Sequence, residues 1–254
     1  MGKHLARGLL LLFAIVGVRN VCVAQKQSRE EIFNRITEER AELQKLEGQF
    51  LAPSADDQTN YAEFLRQPDT GLIRLLPREV FDTYGRKDKR KALTILGGGA
   101  YYSFTRLTHD YGLGTDLSLD SNFLKVGFAG ANYGMLVNLG DIPLEQATLE
   151  HAGARFLAQH DSAADEPQAR IEQRRFQTGF AVDGFNYRDR LPLAINSTYL
   201  LRSVFYSESD VLVAFRVVRL DIDSSIIIAW RMLKKFPKPE LRRMPEPVSA
   251  VSGG

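Results

Sequence analysis

The last third of the chain carries the pattern that most restricts its fold. Apolar residues alternate along residues 193–205 and again along residues 211–217, and an apolar run (IIIAWRML) fills residues 226–233. This period-two alternation is typical of β-strands. Short polar segments at residues 207–210 (SESD) and 221–224 (DIDS) separate the three runs. Strands joined by such short turns are antiparallel neighbours, so the pattern predicts a β-meander.

Strand signals also dominate from residue 92 onward. The glycine triplet at residues 97–99 is interpreted as a bulge or bend in a long strand that resumes at residues 101–107 (YYSFTRL). Helical spacing interrupts this pattern over residues 143–175, and a strand is predicted from Phe176 onward. The sequence therefore predicts a mainly β (α+β) fold. Its antiparallel sandwich or barrel-like sheet would carry an N-terminal amphipathic helix and a mid-chain helical segment.

The N-terminus has the pattern of an export signal. Lys3 and Arg7 precede an eleven-residue apolar run at residues 8–18, and small residues lead up to Ala24. Eleven residues are too few to span a bilayer as a helix but match the apolar core of a signal peptide. We therefore predict a signal peptide at residues 1–24, cleaved after Ala24, and a secreted or periplasmic location.

Removal of this segment changes the composition of the chain. The 33 basic and 31 acidic residues give a net charge of +2, but residues 1–24 hold three of the basic residues and no acid. The remainder has 30 basic and 31 acidic residues, a net charge of −1, and no cysteine, because Cys22 is the single one. The exported chain is therefore expected to lack disulfides and thiol chemistry and to have no nucleic-acid partner.

Four regions are predicted along the chain. Residues 1–24 form the signal peptide, and residues 25–91 form a helical N-terminal region and linker. Residues 92–236 form the β-rich domain with its helical insertion around 143–175. Residues 237–254 form a disordered tail, because four prolines and a terminal Ser-Gly-Gly leave little to bury.

A capping box and a heptad-like stripe define the N-terminal helix. Ser28 and Glu31 have the S-x-x-E spacing in which each side chain satisfies a backbone donor of the other. The apolar stripe that follows, interrupted by Glu39, consists of Ile32, Ile36, Leu43, Leu46 and Phe50. The stripe predicts a helix docked on the domain, with homo-oligomer formation through residues 28–50 as the alternative.

Candidate catalytic residues cluster near residue 109. An imidazole beside a carboxylate can act as a base or an acid, so His109 and Asp110 are candidates, with Ser103 as a nucleophile. No G-x-S-x-G or S-x-x-K motif accompanies them. The competing interpretation is that His109 and Asp110 shape a turn before the Tyr-Gly-Leu-Gly segment.

Aromatic residues near the same turn are candidates for ligand binding. Tyr101, Tyr102 and Tyr111 would suit a carbohydrate or a peptide if they shared an exposed face of the sheet. The competing interpretation places these rings in the core.

No metal or cofactor is predicted. His151 and His160 are nine residues apart, on opposite faces of a helix, and the acids Asp110, Asp116 and Asp120 lack the spacing of a calcium loop. The histidines are interpreted as structural or surface residues, and the acids as residues of hairpin turns. The basic cluster at residues 86–91 (RKDKRK) is interpreted as a solvated loop.

The leading functional prediction is an exported, non-enzymatic β-rich protein that binds a ligand or assists envelope assembly. Its partner would be an unknown protein or carbohydrate in the cell envelope. The first alternative is an extracytoplasmic hydrolase that uses His109 and Asp110, and the second is an outer-membrane-associated β protein. The sequence leaves open whether the protein is an enzyme.

Overall fold

The computed structural model describes residues 28–79, 93–112, 114–128 and 130–242. The predicted signal peptide, the basic cluster at residues 86–91 and residues 243–254 of the predicted tail lie outside these ranges. The chain divides into two compact units, residues 1–40 and residues 41–254. Within the described residues, no helix combines the length and the apolar character needed to cross a membrane.

Helices occupy the N-terminal region and the middle of the chain. The first three are α1 (Arg29–Leu51), α2 (Ala55–Asn60) and α3 (Ala62–Leu65). Two more, α4 (Ala152–Gln159) and α5 (Glu166–Thr178), follow a short 3-10 helix at Leu144–Gln146. The predicted capping box starts α1: Ser28 N donates to a Glu31 carboxylate oxygen at 2.8 Å, and Glu31 N donates to Ser28 Oγ at 3.1 Å.

Eleven strands are described, and every pairing between them is antiparallel. Those before the helical segment are β1 (Thr70–Leu75), β2 (Tyr101–Tyr102), β3 (Leu117–Asp120), β4 (Phe123–Lys125) and β5 (Tyr133–Gly140). Those after it are β6 (Phe180–Val182), β7 (Phe185–Tyr187), β8 (Arg190–Pro192), β9 (Thr198–Phe205), β10 (Ser209–Leu220) and β11 (Ile226–Lys235).

The strands form one large sheet, one smaller sheet and one hairpin. The five-stranded sheet has the order β1-β11-β10-β9-β5, the four-stranded sheet has the order β2-β3-β4-β8, and β6 pairs only with β7. Strands β9, β10 and β11 are consecutive neighbours, which confirms the predicted meander. Strand β1 lies in the region that the sequence predicts to be helical, residues 25–91, because its buried apolar residues complete the edge beside β11.

Both faces of the large sheet are buried. All eight residues of β9 are buried, and they alternate between two cores. On one side Tyr199 and Leu201 pack in the core that contains residues of the four-stranded sheet. On the other side Leu200 and Val204 share a core with Leu157 of α4 and with residues of α5. The predicted α+β class and antiparallel sandwich are confirmed, with helices as the layer on the second face.

A buried ion pair joins the helical layer to the sheet. Arg202 on β9 and Asp210 on β10 are each 2% exposed, and two hydrogen bonds of 2.9 Å link the guanidinium to the carboxylate. The guanidinium also donates to the carbonyl oxygens of Leu157, at 2.6 Å, and His160. The segment that leaves α4 is therefore fixed to β9, and the buried charges are satisfied on both sides.

Two local expectations are wrong in detail. The glycine triplet does not lie in a strand: Gly97, Gly98 and Gly99 have φ values of 84°, 60° and 80°, so they form a left-handed turn that only glycine adopts easily. The strand after it spans only two residues, Tyr101–Tyr102, before a turn at residues 104–107. Similarly, Phe176 belongs to α5, where it is buried on the same face as Ala169 seven residues earlier.

Asp116 is a buried acid between the two sheets. Its side chain is inaccessible to solvent, and one carboxylate oxygen accepts a hydrogen bond from Phe104 N at 2.8 Å. The other oxygen, Oδ1, has no hydrogen-bond partner among the described residues. Burial raises the pKa of Asp116 to about 7, although the Ser203 hydroxyl and the Phe104 amide act in the opposite direction. The sequence-based interpretation of Asp116 as a turn acid is wrong, because it lies inside the sandwich.

This carboxyl predicts a pH dependence of stability. Its pKa is higher in the folded protein than in the unfolded chain, so its favourable contribution is complete below pH 4 and is lost as the pH rises to about 7. The isosteric variant Asp116→Asn removes this dependence. Relative to the variant, the wild-type free energy of unfolding should fall by on the order of 4 kcal/mol between about pH 4 and pH 7. Urea titrations of both proteins across this range measure the difference, and parallel stability curves would contradict the placement of Asp116.

Candidate functional site

A groove of about 710 Å³ borders the C-terminal part of α1. Three segments line it: residues 44–51 of α1, residues 94–96 and the turn at residues 107–110. All three belong to the second unit of the chain. The groove contains the sequence-predicted residues His109 and Asp110, which makes it the candidate site.

The face of α1 that borders the groove is not its apolar stripe. Glu47 and Leu51 are the buried residues of this helix, whereas Leu43, Leu46 and Phe50 are 39%, 52% and 46% exposed. For these three residues the predicted docking of the stripe on the domain is wrong. The reason is that Glu47 and Leu51 make the packing contacts, from a helix face about 100° away from the stripe.

Glu47 attaches the second wall of the groove to the helix. Its carboxylate accepts hydrogen bonds from the backbone N–H of Thr94, from the Thr94 hydroxyl at 2.9 Å and from the backbone N–H of Ile95 at 3.2 Å. Glu47 is only 5% exposed and has no cationic partner among the described residues. A buried carboxylate therefore sets the position of residues 94–96 relative to α1.

Gly48 leaves the groove open above the helix. A Cβ atom built on Gly48 would meet no atom within 4 Å, so this glycine is not needed for close packing. Glycine in a helix interior is less stable than alanine by about 1 kcal/mol. The position therefore carries a local disadvantage that no contact within the described residues explains.

Leu107 forms the opposite rim in an unfavourable backbone conformation. Its φ of 54° lies in the left-handed region, which an L-residue with a branched side chain adopts at a cost of about 1–2 kcal/mol. Its side chain is nevertheless 63% exposed, and that of Leu96 on the second wall is 65% exposed. Two large apolar side chains thus face solvent on two walls of the groove.

His109 is held by the backbone. Its Nε2 donates to the carbonyl oxygen of Arg74 at 2.8 Å, since a carbonyl can only accept, and its ring lies 5.0 Å from that of Tyr102. Burial lowers the pKa of His109, against opposing effects of the Arg74 carbonyl and Asp110. The imidazole is therefore neutral at pH 7, with Nε2 protonated. It forms no hydrogen bond with the carboxylate of Glu47 or Asp110.

Asp110 and Ser103 do not complete a catalytic arrangement with His109. Asp110 is exposed, and its carboxylate accepts a hydrogen bond from the Thr108 hydroxyl at 3.1 Å. Ser103 is 1% exposed, and its hydroxyl lies 3.1 Å from that of Thr105 and accepts from Arg106 N at 3.2 Å. The backbone of Ser103 also pairs with Thr108. Ser103 thus stabilises the turn that presents Leu107, and it has no hydrogen bond to His109.

The three candidate tyrosines have different exposures. Tyr101 and Tyr102 are 7% and 5% exposed and belong to the interior, whereas Tyr111 is 39% exposed. The Tyr111 ring packs at 4.5 Å from that of Tyr101, measured between centroids. The tyrosines therefore form no common exposed face, and of the three only Tyr111 is available to a ligand.

The other two histidines lie elsewhere. His151 caps α4 by accepting from Gly153 N at 3.1 Å, and His160 is hydrogen-bonded to the Tyr133 hydroxyl at 3.0 Å. Burial and the nearby Arg202 lower the pKa of His160 to about 4. The described part of the chain brings together no group of three or more His, Cys, Asp or Glu residues that could hold a metal ion.

No protein-family model, curated protein or solved structure matches this chain. Sequence reasoning identified His109 and Asp110 at the groove but missed Glu47, Gly48 and Leu107. Gly48 offered a signal, as a glycine inside a helical pattern. Glu47 offered none, because it resembles the other acids of the helix.

The hydrogen bonds of Glu47 can be tested directly. In Glu47→Gln one acceptor oxygen becomes a donor, so at least one bond to Thr94 or Ile95 is lost. We expect the free energy of unfolding to fall by about 1–3 kcal/mol and the amides of residues 94 and 95 to exchange with solvent faster. The control Glu42→Gln, at an exposed position of the same helix, should change stability by less than about 0.5 kcal/mol. Unchanged exchange at both amides in Glu47→Gln would refute the role of Glu47.

Proposed function

We propose that the protein is an exported, non-enzymatic binding or envelope-assembly module and that the groove receives its ligand. The observation that carries this proposal is the coincidence of Gly48 and Leu107 at one groove. Gly48 is unfavourable in a helix and fills no tight space, and Leu107 has a strained backbone and an exposed side chain. Departures from local preference that packing does not explain are concentrated at functional sites.

The size and lining of the groove suit a ligand. A volume of about 710 Å³ lies within the range of small-molecule and peptide sites. Leu96 and Leu107 supply apolar area at the rim. Glu47 supplies a buried polar group, and His109 and Asp110 supply polar groups on the same turn as Leu107. Such a combination gives affinity through burial and orientation through a few polar contacts.

The contacts of His109 favour binding over hydrolysis. Its protonated nitrogen is engaged by a backbone carbonyl, and no hydroxyl or thiol of the described residues is hydrogen-bonded to the ring. A hydroxyl nucleophile needs a base within about 3 Å. Ser103 has other partners, so no such pair supports the hydrolase alternative.

Export is part of the proposal and rests on the N-terminal pattern. It predicts that the protein recovered from its native cells begins at Gln25, which intact-mass measurement can check. The +2 charge of the full sequence would then become −1 in the working protein.

The binding function can be tested by filling the groove. In Gly48→Trp an indole ring would occupy the open space above the helix, whereas Gly48→Ala adds only a methyl group. We expect immobilised wild-type protein and Gly48→Ala to retain the same partner from solubilised envelopes, and Gly48→Trp to retain at least about tenfold less. Quantitative mass spectrometry of the retained material provides the measurement.

A matched control separates groove filling from the effect of a large residue on the helix. Lys45→Trp places the same ring at an exposed position of α1 that does not line the groove, and it should retain the partner. Equal retention by Gly48→Trp and Gly48→Ala would refute the groove as the binding site, as would loss in both tryptophan variants.

A further inference from the structure

A buried acid holds the turn that carries Leu107 to the rim of the groove. The Asp116 side chain is inaccessible to solvent, and one of its carboxyl oxygens accepts a hydrogen bond from Phe104 N at 2.8 Å. The backbone N–H of Asp116 donates to the carbonyl oxygen of Tyr102 at 2.9 Å. Asp116 is therefore bonded to the chain at the point where β2 ends and the turn begins.

The other carboxyl oxygen of Asp116 has no compensating partner. Oδ1 is buried and accepts no hydrogen bond from the described residues. The hydroxyls of Ser203 and Ser103 favour the ionised form of the carboxyl, but the loss of hydration outweighs them. A charged oxygen that is buried without a partner is unfavourable. The closed arrangement therefore suits the neutral acid, and ionisation favours an arrangement that admits water.

The turn is the weaker of the two walls around Asp116. On the sheet side, Ser203 lies on β9, in which every residue is buried. On the other side, residues 105–107 are exposed, and Leu107 has the unfavourable φ of 54°. Displacement of the turn relieves this strain and leaves the sheet intact, whereas displacement of β9 would open both cores. Water should therefore reach an ionised Asp116 through the turn.

Titratable and charged side chains of the neighbouring described elements are paired or titrate in other ranges. Burial and the nearby Asp116 raise the pKa of Tyr102, on β2, to about 12. Arg106, on the turn, forms an ion pair with Glu208, which follows β9, at 2.7 Å. Burial lowers the pKa of His109 below its ordinary value, whereas burial raises that of Asp116 to about 7. The titrations of His109 and Asp116 are therefore separable.

We infer that the charge state of Asp116 controls the position of residues 103–107, and thereby of the Leu107 side of the groove. When the acid is protonated, the turn stays packed on the sandwich. When the acid is ionised, the turn opens and water hydrates the carboxylate. The inference goes beyond the proposed function and concerns the free chain, so it does not require that the groove bind a ligand.

Amide hydrogen exchange of the full chain measures this opening. Leu107 N donates to the Ser103 carbonyl oxygen at 2.8 Å, and this bond breaks when the turn opens. The pKa of the acid is about 7 when buried and has its ordinary value of 3.8 when hydrated, so the opening equilibrium should rise roughly thirtyfold between about pH 5.5 and pH 8. The isosteric variant Asp116→Asn cancels the intrinsic pH dependence of exchange. The ratio of the Leu107 exchange rates, wild type to variant, should rise by the same factor.

Two further variants keep the test independent of the stability of Asp116→Asn. Ser203→Ala removes a hydroxyl that favours the ionised form, so the rise in Leu107 exchange should move to higher pH. Asp110→Asn removes an exposed acid just after the turn and should behave like the wild type.

The opening must also be local. In the wild type, the Leu107 amide should exchange at least about tenfold faster than the amides of β9. Equal protection of the two would show that the turn opens only with the whole domain and would overturn the inference. A ratio that stays constant with pH would overturn it as well. A rise that persists unchanged in Asp116→Asn would assign the pH dependence to another group, with the same consequence.

Discussion

The burial of the β9–β11 meander on both faces is the constraint on which the rest of the fold depends. Every residue of strand β9 is buried, and its side chains alternate between two separate cores. Because the side chains on both faces are largely apolar, leaving either face in water would lose the hydrophobic stabilisation that its burial supplies. The chain must therefore supply two covering layers, and it does so with the four-stranded sheet on one face and with α4 and α5 on the other. This second layer buries the charged side chains of Arg202 and Asp210, which neutralise each other as an ion pair.

The groove lies where α1, residues 94–96 and the turn at residues 107–110 do not pack closely against one another. The C-terminal part of α1 packs through Glu47 and Leu51, and the first of these residues also holds residues 94–96. Gly48 places no side chain in the remaining space, and the side chain of Leu107 at the rim is exposed to solvent. Both features are locally unfavourable, and this supports the proposal that the groove receives a ligand.

Much of the architecture could be predicted because its signals are local. The alternation in residues 193–217, the polar turns between strands and the Ser28–Glu31 capping box each reflect the chemistry of neighbouring residues. The glycine triplet was misinterpreted because glycines mark both β-bulges and turns with positive φ, so the sequence does not distinguish the two. Asp116 was misinterpreted because its burial depends on Ser203 and Phe104, which the chain brings close only after folding. The same holds for Glu47, whose partners lie 47 and 48 residues further along the chain.

The candidate site was predicted in part. His109 and Asp110 do border the groove, but the sequence suggested a catalytic role for a histidine that is bonded to the Arg74 carbonyl. The heptad stripe suggested docking on the domain, because periodicity reveals that a helix has an apolar face and does not reveal what that face contacts. Pairing between subunits through residues 28–50 stays a prediction, since Leu43, Leu46 and Phe50 are exposed.

Amide hydrogen exchange of the full chain, with and without the partner that it retains from envelopes, tests the central claim most directly. We predict slower exchange in the ligand-bound protein at residues 94–96 and 107–110, with no change at residues 157–164 beside the Arg202–Asp210 pair. Protection that is confined to residues 157–164, or to any surface outside the groove, would contradict this assignment of the binding site.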